Sequence, residues 1–323
     1  MRFPEGIRAT AEWQGGVISR RQLLAAGFSR DAIAERLERG YWQQLHRGVY
    51  ALFTGQPNRE AWLWAAVLRA GPGAALSYQT AAELHGFSTR PTRAVHVTIP
   101  STRRIEAPGL IVHISGRIAT ATQANREPPR TNVEETVLDL TQSAQTIDDV
   151  CGWITSACGK RLTTEEKLRV AVSERKKMRW RTELDDILAA AGDGIHSPLE
   201  FRYLRDVERA HGLPESRHQV RVVIDGVSAY RDAYYQQYRV VVELDGKLAH
   251  TDEERHRDNH RDVVSSAEGI QTCRYVWRDV YGRPCETAIW QARVLRSRGW
   301  QGLPRQCSPG CPVAEAFAVT AAA

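Results

Sequence analysis

Two acids, Glu243 and Asp245, close the apolar run "YRVVVELDG" (238–246). Three consecutive valines call for burial, and a buried carboxylate is costly unless something compensates it. Strand periodicity puts both acids on one face. Upstream, "AYRDAYY" reads as a strand carrying Asp232, with "QQ" turning the chain between the two. "HSPLEF" opens a helix with Ser197 as N-cap, Pro198 at its first position and Glu200 in its first turn. If Asp232 lies across from Glu243 and Glu200 reaches in from the helix, the carboxylates converge and repel one another. A hard divalent cation, Mg2+ or Mn2+, removes that conflict because it prefers oxygen ligands. Such an ion polarises a phosphodiester and supplies a hydroxide nucleophile. The competing expectation is an ordinary ion-pair network with Arg231 or Arg261.

These elements need a scaffold, and 323 residues allow two or three domains. The composition, 42% hydrophobic and 25% charged, is that of a globular protein. No apolar run approaches bilayer-spanning length, and "MRFPEGIRATAEWQGG" has no signal core, so a cytoplasmic protein without a membrane partner is expected. Six cysteines are too few for a disulfide scaffold. The close pair, Cys307 and Cys311 in "CSPGCP", is weak evidence for zinc without two further ligands. A net charge of +6 permits nucleic acid as a partner. Residues 1–57 carry eight basic side chains, all arginine, against five acidic ones. "SERKKMRWR" (173–181) is a second basic run, and solvated helix faces account equally well for either segment.

Residues 15–52 have a compact rhythm. Ser19 caps a short helix closed by Gly27, and Ser29 caps a second whose Ile33 and Leu37 share a face, closed by Gly40. "WQQLHRGVYAL" then reads as two strands turning at Arg47-Gly48. Helix, turn, helix and hairpin make a winged helix-turn-helix, with Arg30, Arg36 and Arg39 on the recognition helix and Arg47 on the wing as DNA contacts. The expected fold class is a multi-domain α/β protein. A winged helix-turn-helix (1–57) precedes a small α+β domain (58–150) and a helical linker (151–195). The last α/β domain (196–300) is followed by a disordered tail (301–323), which lacks periodicity and carries little charge. In the middle domain "AVHVTIP" and "LIVHIS" read as strands, and His85, His96 and His113 as isolated residues.

Over roughly 10–145 the segments "GVISRRQLLAAGFSRDAI", "LHRGVYAL", "LSYQTAAELHGF" and "TNVEETVLDL" resemble, in this order, the AbiEi-type antitoxin family of bacterial abortive-infection systems. The resemblance implies a DNA-binding winged helix followed by a small domain, serving transcriptional autoregulation and restraint of a toxin.

Residues 196–300 resemble the PD-(D/E)xK nuclease superfamily, and within it the very-short-patch-repair (Vsr)-like endonucleases, a restriction-endonuclease-like fold. Asp232 matches the isolated first acid, Glu243 the acid of the second motif and Glu200 the acid on the leading helix. Asp245 stands where most of the superfamily has lysine, and with Gly246 and His250 it gives the E-x-D-G…H form of the Vsr-like branch. Arg231 departs from the pattern, which has proline before the first acid. The resemblance implies a metal held by Asp232, Glu243 and the carbonyl of Leu244. Asp245 is then a ligand or a base for the attacking water, and His250 a general acid or base. Lys247 and Arg261 are candidate phosphate contacts, with an Arg261–Asp258 salt bridge as an equal alternative. Together the resemblances imply a DNA-binding, Mg2+-dependent endonuclease in phage or mobile-element defence or DNA repair. RNA stays open as a substrate, and a toxin or antitoxin as a partner. The alternatives are a non-enzymatic antitoxin-like repressor whose nuclease-like domain only binds, and a toxin–antitoxin fusion.

Overall fold

The computed structural model describes residues 5–88, 92–123, 125–224, 226–245 and 252–318. The chain divides into two compact units, Met1–Ser143 with Lys167–Arg179, and Ala144–Glu166 with Trp180–Ala323.

The first unit begins with α1 (Glu5–Trp13), β1 (Val17–Ser19), α2 (Arg20–Ala25) and α3 (Arg30–Glu38). Ser19 forms a capping box, its Oγ accepting from the Gln22 N–H while the Gln22 amide oxygen accepts from the Ser19 N–H at 2.9 Å. Ser29 Oγ accepts from the Ala32 N–H at 3.0 Å and starts α3. The hairpin of β2 (Gln43–His46) and β3 (Val49–Ala51) turns at Arg47-Gly48, where Gly48 adopts φ +75°. β3 also pairs with β1, giving an antiparallel sheet in the order β1-β3-β2. Ile18, Leu23, Ile33, Trp42 and Tyr50 fill the core beneath it.

Val17 and Val49 pack against Trp64 and Ala65 of α4 (Arg59–Ala70), which ties the winged helix to the next layer. There β4 (Ala75–Leu76), β5 (Val95–Pro100) and β6 (Leu110–Ser115) form a sheet with β5 and β6 parallel. α5 (Tyr78–His85), α6 (Ile118–Ala121) and α7 (Val133–Ser143) complete the layer. After α9 (Glu165–Ser173), Arg175 pairs with Glu135 and, at 2.7 Å, with Asp139, so residues 167–179 belong to this unit.

In the second unit α8 (Ile147–Gly159) packs on α10 (Arg181–Gly192), and two hydrogen bonds of 2.7 and 3.1 Å join Arg202 to Asp148. Most of the stretch expected as a linker is therefore folded into one or other unit, and the Gly192–Gly194 break ends α10. α11 (Pro198–Arg202) continues as a π-helical stretch, Tyr203–Arg209. β7 (Arg217–Ile224), β8 (Val227–Tyr235) and β9 (Val240–Asp245) form an antiparallel meander. α12 (Asp252–Ala267) then carries the chain to β10 (Gln271–Val276), which lies parallel to β9. α13 (Trp277–Val280), α14 (Pro284–Ser297) and α15 (Val313–Ala318) follow.

The tail departs from expectation. Cys311, Val313 and Phe317 are buried in the same core as Tyr203, Tyr235, Val242 and Leu295. A few well-spaced apolar residues anchor a segment whose composition alone suggests disorder. Residues 319–323 of that tail lie outside the described residues.

Candidate functional site

Asp232 is the hub of the acidic cluster. Its Oδ2 accepts a hydrogen bond from the Leu244 N–H at 2.8 Å. The pairing Ala233↔Val242, continued by one residue, brings Asp232 opposite Glu243. On its other side, the pairs His218↔Ala233 and Val220↔Arg231 set Gln219 opposite Asp232. The Gln219 Nε2 donates to Asp232 Oδ1 and to Glu200 Oε2, both at 3.1 Å. Glu200 Oε2 also accepts from the His196 N–H at 3.0 Å, while Ser197 Oγ caps α11 by accepting from the Glu200 N–H. The order of contacts is therefore Glu200, Gln219, Asp232, with Glu243 across from Asp232.

Electrostatics follow from that geometry. Burial, then the negative charge of Asp232, pushes the Glu243 carboxyl up to about 8, with Arg274 and Arg261 pulling the other way. Asp232 rises to about 6, again chiefly through burial, with Glu200 and Asp245 adding to the rise. Burial also raises Glu200. Among the described residues neither Asp232 nor Glu243 has an ion-pair partner. Arg231 instead lies over the Tyr234 ring at 4.9 Å and 3.8 Å from Glu268. Asp245 differs from the other acids: Arg274 Nη1 sits 3.5 Å from its Oδ2, and the same guanidinium makes two bonds to Asp262.

The acids form a row rather than a four-sided cage. Among the described residues, no three carboxylates bring their oxygens within 4.8 Å of one another. Glu200 is occupied as a helix cap and by Gln219, and Asp245 by Arg274. Asp232, Glu243 and the backbone at Leu244 are left as the group facing one another. His250, Lys247 and Gly246 lie outside the described residues, as does the side chain of Asp258.

Gln219 was not singled out by the sequence. A glutamine inside a strand carries no motif, and its role arises only from the register that sets it opposite Asp232. Its backbone is left-handed, with φ +47°. A non-glycine residue there costs about 1–3 kcal/mol, and such strain gathers at sites the surrounding structure over-determines.

The arginines of α3 are unequal. Arg30, at its first position, and Arg47, on the hairpin turn, are exposed. Arg36 is part of the packing instead, because its guanidinium lies 5.2 Å from both the Phe28 and the Trp42 ring centres and Nη1 donates to the Ala32 carbonyl. Arg39 pairs with Glu35 at 2.8 Å on the exposed face. Arg261 is half-buried near Glu243.

Two histidines expected to be isolated meet. His96 Nδ1 lies 3.1 Å from His113 Nε2, and the His113 ring stacks on Tyr78 with centres 3.7 Å apart. Burial, then His96, depresses His113 to about 4.

A short three-stranded sheet joined to a capped helix-turn-helix gives the N-terminus the winged-helix class of fold. Residues 7–52 match the family model described as transcriptional regulator, AbiEi antitoxin. Residues 73–198 match the AbiEi antitoxin C-terminal domain. The chain thus carries both AbiEi antitoxin domain families in their order. The second match runs through the helices expected as a linker. No curated protein matches the chain. Among the described residues no helix is long and apolar enough to cross a membrane.

Proposed function

We propose that this protein is an AbiEi-type DNA-binding regulator whose C-terminal unit hydrolyses phosphodiesters with a divalent cation. One observation carries the reading: Asp232 and Glu243 face each other at the end of a buried hairpin, both pushed towards neutrality and neither ion-paired among the described residues. Two acids placed across from each other repel, which suits the pair to a cation. Magnesium binds through one or two carboxylates while keeping several waters, so two acids and the Leu244 carbonyl suffice as protein ligands. When bound, the ion supplies Lewis acidity and a hydroxide at neutral pH. Asp232 is oriented by the Leu244 N–H and by Gln219, which also holds Glu200 behind it. The helix and hairpin that carry the Vsr-like resemblance pack as one unit, which supports the same reading. The roles of His250 and Lys247 rest on that resemblance.

Arg30 and Arg47 would meet DNA phosphates from the recognition helix and wing, and the protein would act with a toxin partner or against invading DNA. Nicking of supercoiled plasmid in Mg2+ or Mn2+, lost in Glu243→Gln and Asp232→Asn, tests the hydrolase. The second reading, a regulator without catalysis, is favoured by Arg274, which engages Asp245 and Asp262 beside the acids. Promoter binding with no cleavage of any DNA or RNA form would decide for it.

A further inference from the structure

We infer that the C-terminal tail is clamped to the second unit by a structural zinc ion held by His211, Cys285, Cys307 and Cys311. The sequence separates these residues by up to a hundred positions, and only Cys307 and Cys311 are close in the chain. The fold brings all four together: one nitrogen or sulfur from each lies within 4.8 Å of the others.

Each ligand is presented by a different device. His211 ends the helix that begins as α11. It is fully buried, and its Nδ1 donates to the Val207 carbonyl at 3.0 Å. That bond fixes the proton on Nδ1 and leaves the Nε2 lone pair bare, and Nε2 is a buried atom with no hydrogen-bond partner. A ring whose second nitrogen is tied to a carbonyl is the usual posture of a metal-binding histidine. Cys285 lies in the first turn of α14, directly after Pro284. Cys307 and Cys311 flank the turn "SPG", closed by the bond from the Cys311 N–H to the Ser308 carbonyl at 3.1 Å, with Gly310 at φ +83°.

The spacing suits an ion better than a disulfide. Cys285 and Cys307 sulfurs are 3.6 Å apart, and all six cysteines are free. A disulfide needs about 2.05 Å. A tetrahedron with metal–sulfur bonds of about 2.3 Å has edges of about 3.8 Å. Three soft thiolates and an imidazole select zinc over magnesium, and four protein ligands leave no open position, so the site is structural rather than catalytic. Binding moves the three thiol protons to water and changes no oxidation state. Cys307 is exposed and offers the way in.

The clamp has an evident task. The Arg305 N–H donates to the His211 carbonyl at 2.8 Å, and Arg305 Nη2 to the Arg209 carbonyl at 2.8 Å. Beyond Cys311, Val313 and Phe317 enter the core. An ion bonded to helix and tail at once would hold α15 in place.

The full-length protein, purified without chelator, should contain about one zinc per chain by elemental mass spectrometry. Zinc-stripped protein titrated with Co2+ should develop the visible bands of a tetrahedral thiolate site and saturate at about one equivalent. Cys307→Ser should lose most of the bound zinc, and Cys158→Ser none. Alkylation of Cys307 in the wild-type chain, slow until a chelator is added, gives a readout independent of any folding defect in the variant. Zinc well below stoichiometry with no cobalt spectrum would overturn the clamp. So would zinc retained in Cys307→Ser, or a Cys285–Cys307 disulfide in freshly purified protein. None of these readouts involves cleavage, so they stand apart from the nuclease reading.

Discussion

Asp232 Oδ2 accepts the Leu244 N–H at 2.8 Å, so the acid on β8 is bound to the strand that presents Glu243 and Asp245. This single bond sets the spacing of the row of acids, because it joins the two strands just past their last paired residues.

Without a cation, Glu243 is a burden on stability at high pH. Its folded value of about 8 lies above the ordinary 4.5, so the folded chain holds a proton that the unfolded chain releases. Stability from this group is complete below about pH 4.5 and is lost as pH rises through 8. In EDTA, Glu243→Gln should therefore be more stable than the wild type at pH 8, by about 1–3 kcal/mol, with the difference shrinking towards pH 5. Calorimetry at the two pH values checks this.

Gln219→Leu removes the amide shared by Glu200 and Asp232 and leaves two buried carboxylates facing each other. A loss of about 1–3 kcal/mol is expected in urea unfolding at pH 8. The loss should be smaller at pH 5, below the value of about 6 for Asp232, where a protonated carboxyl can donate to its neighbour.

Within α3 the arginines should separate by experiment. Arg36→Ala gives up two ring contacts and should lower stability by about 1–2 kcal/mol. Arg30→Ala and Arg47→Ala should leave the melting temperature unchanged, weaken DNA binding and flatten its salt dependence by about one counterion each. Melting curves and salt-titrated DNA binding distinguish the two groups.

The His96–His113 contact makes the first unit acid-sensitive. His113 drops from 6.5 to about 4 on folding, so its contribution is full above about pH 6.5 and drains as pH falls towards 4. The stability gap between wild type and His113→Leu should shrink over that range in pH-stepped melts.

What the sequence made legible was local. Caps at Ser19, Ser29 and Ser197, the turn at Arg47-Gly48 and the strands bearing Asp232 and Glu243 all rest on near-neighbour chemistry, and the fold has them there. Long-range relations were hidden. Nothing near Arg36 announces that Phe28 and Trp42 would sandwich it, since the aromatic partners lie beyond both ends of α3. Gln219 gained its role from strand register, and His211 and Cys285 came to Cys307 and Cys311 only through tertiary packing. The tail misled for the same reason: Val313 and Phe317 are a single i, i+4 pair on a short helix and find their packing partners in a distant core.

The measurement that bears most directly on the central reading is conversion of supercoiled plasmid by the full-length protein in Mg2+, run beside Glu243→Gln. The reading predicts nicked or linear product that needs the metal and falls at least about a hundredfold in the variant. Intact plasmid with every metal tried, or cleavage undiminished in Glu243→Gln, would contradict it.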